Sequence, residues 1–126
     1  MSILENAKVI DTYSRANALA DGFLVDVSHL AKEVGIKYPV HMKRNVWDSM
    51  IVPDQTAIIN GESEKGRLWD CLWMFRIAIS SQSGSIVHFK FIATFDGADR
   101  YVSVKAICGP GDNLEPVITI LFPDED

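Results

Sequence analysis

Two hydrophobic periodicities divide the chain. From Arg67 to Ile79 it carries no Gly or Pro, and Leu68, Leu72, Phe75 and Ile79 recur at i, i+4, i+7 and i+11. That is one stripe of a 3.6-residue helix. Trp69, Trp73 and Ala78 widen the stripe, and Cys71, Met74 and Ile77 fill much of the remaining circumference. A helix apolar nearly all round must be covered on more than one side, so the pattern predicts a central buried helix with other elements on both flanks. After a polar break at 80–85 the period becomes two. Val87, Phe89, Phe91, Ala93 and Phe95 share one face, with His88, Lys90 and Thr94 on the other. Asp96-Gly97 starts a hairpin loop. Val102, Val104, Ala106 and Cys108 alternate in a second strand, and Ile118, Ile120 and Phe122 in a third from Val117 to Phe122. Consecutive strands joined by short loops pair antiparallel. A C-terminal three-stranded antiparallel meander is therefore expected, its apolar face covering the central helix.

The N-terminal half reads as short helices. Residues 1–11 form a loosely held lead-in. Ser14 can cap a helix to about Ala20, with Asn17 at its third position and Gly22 ending it. Phe23, Val25 and Val27 alternate with Leu24 and Asp26 as a short extended piece. Ser28 is an N-cap for a helix to Val34, closed by Gly35 and its apolar neighbour Ile36. Tyr38-Pro39 is extended. A helix over Lys43 to Met50, bounded by Pro53, would bury Val46, Trp47, Met50 and Ile51. Residues 53–66 read as a connecting loop with Ala57-Ile58-Ile59 as a brief strand. The fold class is α+β, with one domain over residues 1–126.

Composition adds exclusions more than assignments. The chain has 126 residues, is 48% hydrophobic and 23% charged, and carries a net charge of −5. That argues against disorder and against an overall electrostatic footprint for nucleic acid. Cys71 and Cys108 have neither CxxC spacing nor metal-ligand companions, and both read as buried thiols in a reducing cytoplasm. No signal peptide is recognisable and no apolar stretch reaches the ~20 residues of a membrane span.

Candidate chemistry is sparse. Arg67 and Asp70 are helical neighbours, and a cation so near the helix start opposes the dipole, so a carboxylate or a ligand anion should hold Arg67. Arg76 lies beyond Trp69 and Trp73 and suits a cation–π contact or an anchor for a planar ligand. The loop from Gly109 to Pro116 offers Asp112, Asn113 and Glu115 to a hard cation, but its spacing is not that of a calcium loop. A stiff Asx turn is preferred there. Asp48 beside Trp47 can bond an adjacent element. His29, His41 and His88 are scattered, and GxSxG and HExxH are absent. No metal and no cofactor is expected.

A wider set of residues has a family look. Tyr13-Ser14-Arg15-Ala16, Asp21-Gly22 with Leu24 to Val27, Tyr38-Pro39-Val40, Trp47-Asp48, Gly66 to Asp70 with Leu72-Trp73-Met74, and Cys108 to Asp112 with Glu115 to Ile120 are its parts. They resemble a family of short bacterial, phage and plasmid proteins that is a domain of unknown function. The likeness covers most of residues 9–124 and departs at Lys43, where the family tends to have Thr. It implies a compact cytoplasmic domain in a mobile-element setting and brings no catalytic residues.

Three functional readings follow. The preferred one is a small binding or inhibitory protein that engages a host protein through exposed aromatics such as Trp47, Trp69 or Tyr101. The second is an enzyme or ligand binder for an anionic, nucleotide-like molecule, with Arg67, Arg76 and Lys105 holding the anion and Asp48, Asp70 or Asp112 as acid or base. It requires an Arg and a carboxylate to converge in one pocket. The third is a homo-oligomer, because Ile86, Ile92, Ile107, Val117 and Leu121 make the second face of the sheet unusually apolar. Neither nucleic acid nor membrane is an expected partner.

Overall fold

The computed structural model describes residues 13–126; the lead-in expected at 1–11 lies outside them. Helix α1 (Arg15–Ala20) starts at Ser14, whose hydroxyl accepts the Asn17 N–H, and is followed by Gly22 at φ +83°. Strand β1 (Leu24–Asp26) leads into α2 (Ser28–Val34), which Gly35 ends in the left-handed conformation. Ser28 is not the cap. Its Oγ takes the Val40 N–H at 2.9 Å, and the Asp26 carboxylate takes the Ser28 N–H at 2.9 Å. Strand β2 (Val40–Lys43) runs into α3 (Arg44–Val46) and a wider π turn over Trp47–Ile51, where the Val52 N–H reaches back to the Trp47 carbonyl.

The brief strand expected at Ala57 to Ile59 is instead helix α4 (Gln55–Ile59). The Asp54 carboxylate accepts the Ala57 N–H at 2.8 Å and so supplies a helical start, and the sheet of the described residues does not include this segment. Helix α5 (Glu64–Ile79) is the long one, capped by Ser63 through the Gly66 N–H. Strands β3 (Ile86–Phe95), β4 (Ala98–Pro110) and β5 (Pro116–Leu121) follow.

The sheet is not a three-stranded meander. It is a five-stranded mixed sheet in the order β1-β2-β5-β4-β3. The antiparallel β3–β4–β5 unit is present, but β5 also pairs in parallel with β2, aligning Val40 with Ile118 and Met42 with Ile120. Strand β2 turns antiparallel to β1. Alternation puts Val40, Met42, Phe89, Phe91, Val104, Ala106, Ile118 and Ile120 on one face, where they pack with Leu68, Cys71, Leu72 and Phe75 of α5 and with α2.

Helix α5 has neighbours on more than one side, as expected, lying chiefly on β3 and α2, but the rest of its apolar circumference is open: Trp69, Trp73, Met74, Ile77 and Ile79 are exposed. One further expectation needs correction. Cys71 is buried, and burial lifts its thiol far above its ordinary value, but Cys108 is exposed near the sheet's end. On the opposite face α1 packs on β1 and reaches β2 and β5 through Arg15; Val117 and Leu121 are buried there, while Ile86 and Ile92 of β3 remain exposed.

Candidate functional site

Strand β3 is an edge strand, and its turn fixes which of its backbone groups face outward. Asp96 and Gly97 both have positive φ, the mark of a two-residue type I′ turn, and Phe95 pairs with Ala98. In such a hairpin Phe95, Ala93, Phe91, Phe89 and Val87 exchange bonds with β4. Thr94, Ile92, Lys90 and His88 therefore aim their N–H and C=O groups away from the sheet.

The two ends of this free edge are closed by side chains. At His88 the Gln82 amide bonds both groups, donating to the carbonyl at 2.7 Å and accepting the N–H at 3.1 Å. At Thr94 the Glu62 carboxylate accepts the N–H at 3.1 Å and the Arg67 guanidinium donates to the carbonyl. Such caps blunt an edge against further strand pairing. Among the described residues, no side chain caps Lys90 or Ile92. The open window lies beside a shallow hollow of about 390 Å³ lined by Asp70, Trp73, Met74, Lys90, Ile92 and Tyr101. Trp73 and Met74 are on its α5 side; Lys90, Ile92 and Tyr101 are on the outer face of the sheet, with the Lys90 ammonium 5.9 Å from the Tyr101 ring centroid. Burial raises the Asp70 carboxyl above its usual range, helped by the charge of Glu62.

Arg67 is held by protein. It is 2% exposed, pairs with Glu62 at 3.0 Å, donates to Met50 and Thr94 carbonyls and stacks 4.7 Å over Phe95. Its Nε is buried without a partner among the described residues. Arg76 sits 5.4 Å over Trp73 and against Gly35, where an added Cβ would meet its Nε at 3.2 Å. Trp47 is half-buried in a separate groove with Leu30 and Leu68, and Asp48 faces Arg44 at 3.9 Å on the surface. Asp112 is on the other face of the sheet. It accepts the Arg15 and Ala16 N–H groups at 2.8 and 3.1 Å, and those bonds lower its pKa. Glu115 closes its own loop by accepting the Asn113 N–H at 2.8 Å. Arg67, Trp73 and Asp112 thus share no cleft, and of the ten candidate residues only Asp70 and Trp73 line the window, with Trp69 one turn away.

A second polar cluster lies under α1. Arg15 bonds His41 Nδ1 at 3.1 Å and the Thr119 hydroxyl. Burial holds His41 below its ordinary pKa, against the pull of Asp26 and with the help of Arg15. Arg15 and Lys43 border a cleft of about 510 Å³ that also includes Tyr13. No group of three or more His, Cys, Asp or Glu suited to a metal occurs among the described residues. None of their helices is long and apolar enough to cross a membrane.

Sequence reasoning missed the capping residues Glu62 and Gln82, whose targets are backbone groups on another element. It also missed Lys90 and Arg15. For Lys90 a signal existed: it alternates with His88 and Ile92 on the outer side of a strand.

A family described as "Family of unknown function (DUF6573)" matches residues 1–126. The chain belongs to that family. No curated protein and no solved structure matches it.

Proposed function

We propose that this member of the DUF6573 family is a small binding protein that captures a partner protein through the solvent side of α5 and the adjoining edge of β3. The observation that carries this reading is the grouping of Trp69, Trp73, Met74, Ile77, Ile92 and Tyr101, all more than a third exposed. Contiguous apolar surface on a folded domain marks interaction sites, and Trp and Tyr dominate their energetics. The motif resemblance adds a setting: a mobile-element product in the cytoplasm, acting on a host protein. Capture from a lysate with the full chain as bait tests it. The Trp69→Ala/Trp73→Ala variant is expected to lose its partner while still folding and melting cooperatively. Undiminished capture by that variant overturns the reading.

One observation favours a second reading, a binder of an anionic, nucleotide-like ligand. The Arg15 guanidinium is hydrogen-bonded to His41 and Thr119, forms no ion pair within 4 Å among the described residues, and borders with Lys43 a cleft that Asp112 and Asp126 also line. Nucleotides should then raise the melting temperature, since a ligand that binds only the folded state stabilises it. The absence of any shift at millimolar nucleotide counts against it.

A further inference from the structure

We infer that the window at Lys90 and Ile92 takes one short extended peptide segment by antiparallel β-augmentation, with an aliphatic, a bulky apolar and an acidic residue in succession from its N-terminal end. The inference rests on the binding reading above and names the partner's chemistry. A strand docking on a sheet edge gains affinity from main-chain bonds and specificity from alternate side-chain positions. Here the main-chain bonds are limited by the caps. Gln82 occupies His88, and Glu62 with Arg67 occupies Thr94. A long incoming strand, including β3 of a second copy, would collide with both caps, so the edge admits about three residues between them.

The side-chain order follows from the pleat. Residues that pair with Lys90 and Ile92 place their side chains on the outer face, beside Lys90, Ile92 and Tyr101. The residue between them points to the α5 side, against Trp73 and Met74. Lys90 has no carboxylate within ion-pair distance among the described residues, so an acidic side chain belongs opposite it. Asp70 stands on the α5 side and repels an acid there, leaving that position to a bulky apolar group. An aliphatic residue beside Ile92 completes the triplet.

The probe is a fluorescein-labelled, end-blocked peptide with the core valine–leucine–glutamate between threonines, which lies antiparallel to β3 with its glutamate opposite Lys90, titrated into the full chain. Amide hydrogen exchange is followed at Lys90 and Ile92. Binding should slow exchange at those two amides and leave His88 and Thr94 unchanged, since both are already capped. Lys90→Glu should weaken binding about tenfold or more, and a valine–leucine–lysine peptide should restore it. Moving the glutamate to the centre of the peptide should abolish binding. Lack of protection at millimolar peptide, or equal affinity for the permuted peptide, overturns the inference. So does protection already present before peptide is added, which would mean that the chain itself or a second copy fills the edge. If the peptide fails while Trp69→Ala/Trp73→Ala still abolishes lysate capture, the edge proposal alone falls; if capture survives that variant, the binding reading falls with it.

Discussion

The side of α5 that meets the sheet contains an arginine, and the side that meets water contains two tryptophans. Arg67 is 2% exposed, whereas Trp69 and Trp73 are 38% and 41% exposed. Hydrophobicity alone would reverse the two. Arg67 can be buried because Glu62, the Met50 and Thr94 carbonyls and the Phe95 ring replace most of its water. The tryptophans stay exposed because no described element is positioned beyond them. One side of the helix therefore builds the fold, and the other offers surface that the fold does not consume.

The sharpest way to break this contrast is Arg67→Ala. It leaves the Glu62 carboxylate and the Thr94 carbonyl half-buried without their cation, and the expected loss is about 3–5 kcal/mol by urea denaturation. Leu72→Ala, on the same side but purely apolar, should cost about 2–5 kcal/mol through lost transfer energy and a cavity. Trp73→Ala on the opposite side removes a far larger side chain yet should cost less than either, about 1 kcal/mol, chiefly its contact with Arg76. A loss there comparable to Leu72→Ala would mean that the water-facing side also holds the fold together.

Asp70→Asn is the smallest test and has a pH signature. The folded-state pKa of Asp70 is raised, so its ionised form is less favourable folded than unfolded. Wild-type stability should therefore fall relative to the Asn variant as pH climbs from about 3.8 through the raised folded value, with the gap complete by neutrality. Paired thermal melts from pH 3 to 7 check this; parallel curves would show that Asp70 is as well solvated as a free carboxylate.

Much of the architecture was legible because local signals and global packing agreed. The Ser14 and Gly35 helix ends, the alternation in β3 and β4, and the Asp96-Gly97 turn are all set within a few residues. Strand β2 was not legible: Val40, His41 and Met42 are all buried, so it shows no alternation, and its neighbours β1 and β5 are remote or brief. The helix at 55–59 was missed because Ile58 and Ile59 suggest a strand, whereas the Asp54 cap decides otherwise. The candidate site was legible only in its aromatics. Its geometry depends on Gln82, Glu62 and Arg67 reaching backbone groups on β3, and such long-range bonds leave no spacing to read.

The parallel seam between β2 and β5 has a consequence for how the molecule is made. The strands translated first, β1 and β2, are stitched into the sheet by the last one, with Val40 waiting for Ile118. Until β5 is made, β2 lacks its parallel partner, and Val40 and Met42 lack the strand that aligns with them. Sequence-distant pairing of this kind slows folding, so closing the sheet must await a contact across nearly eighty residues.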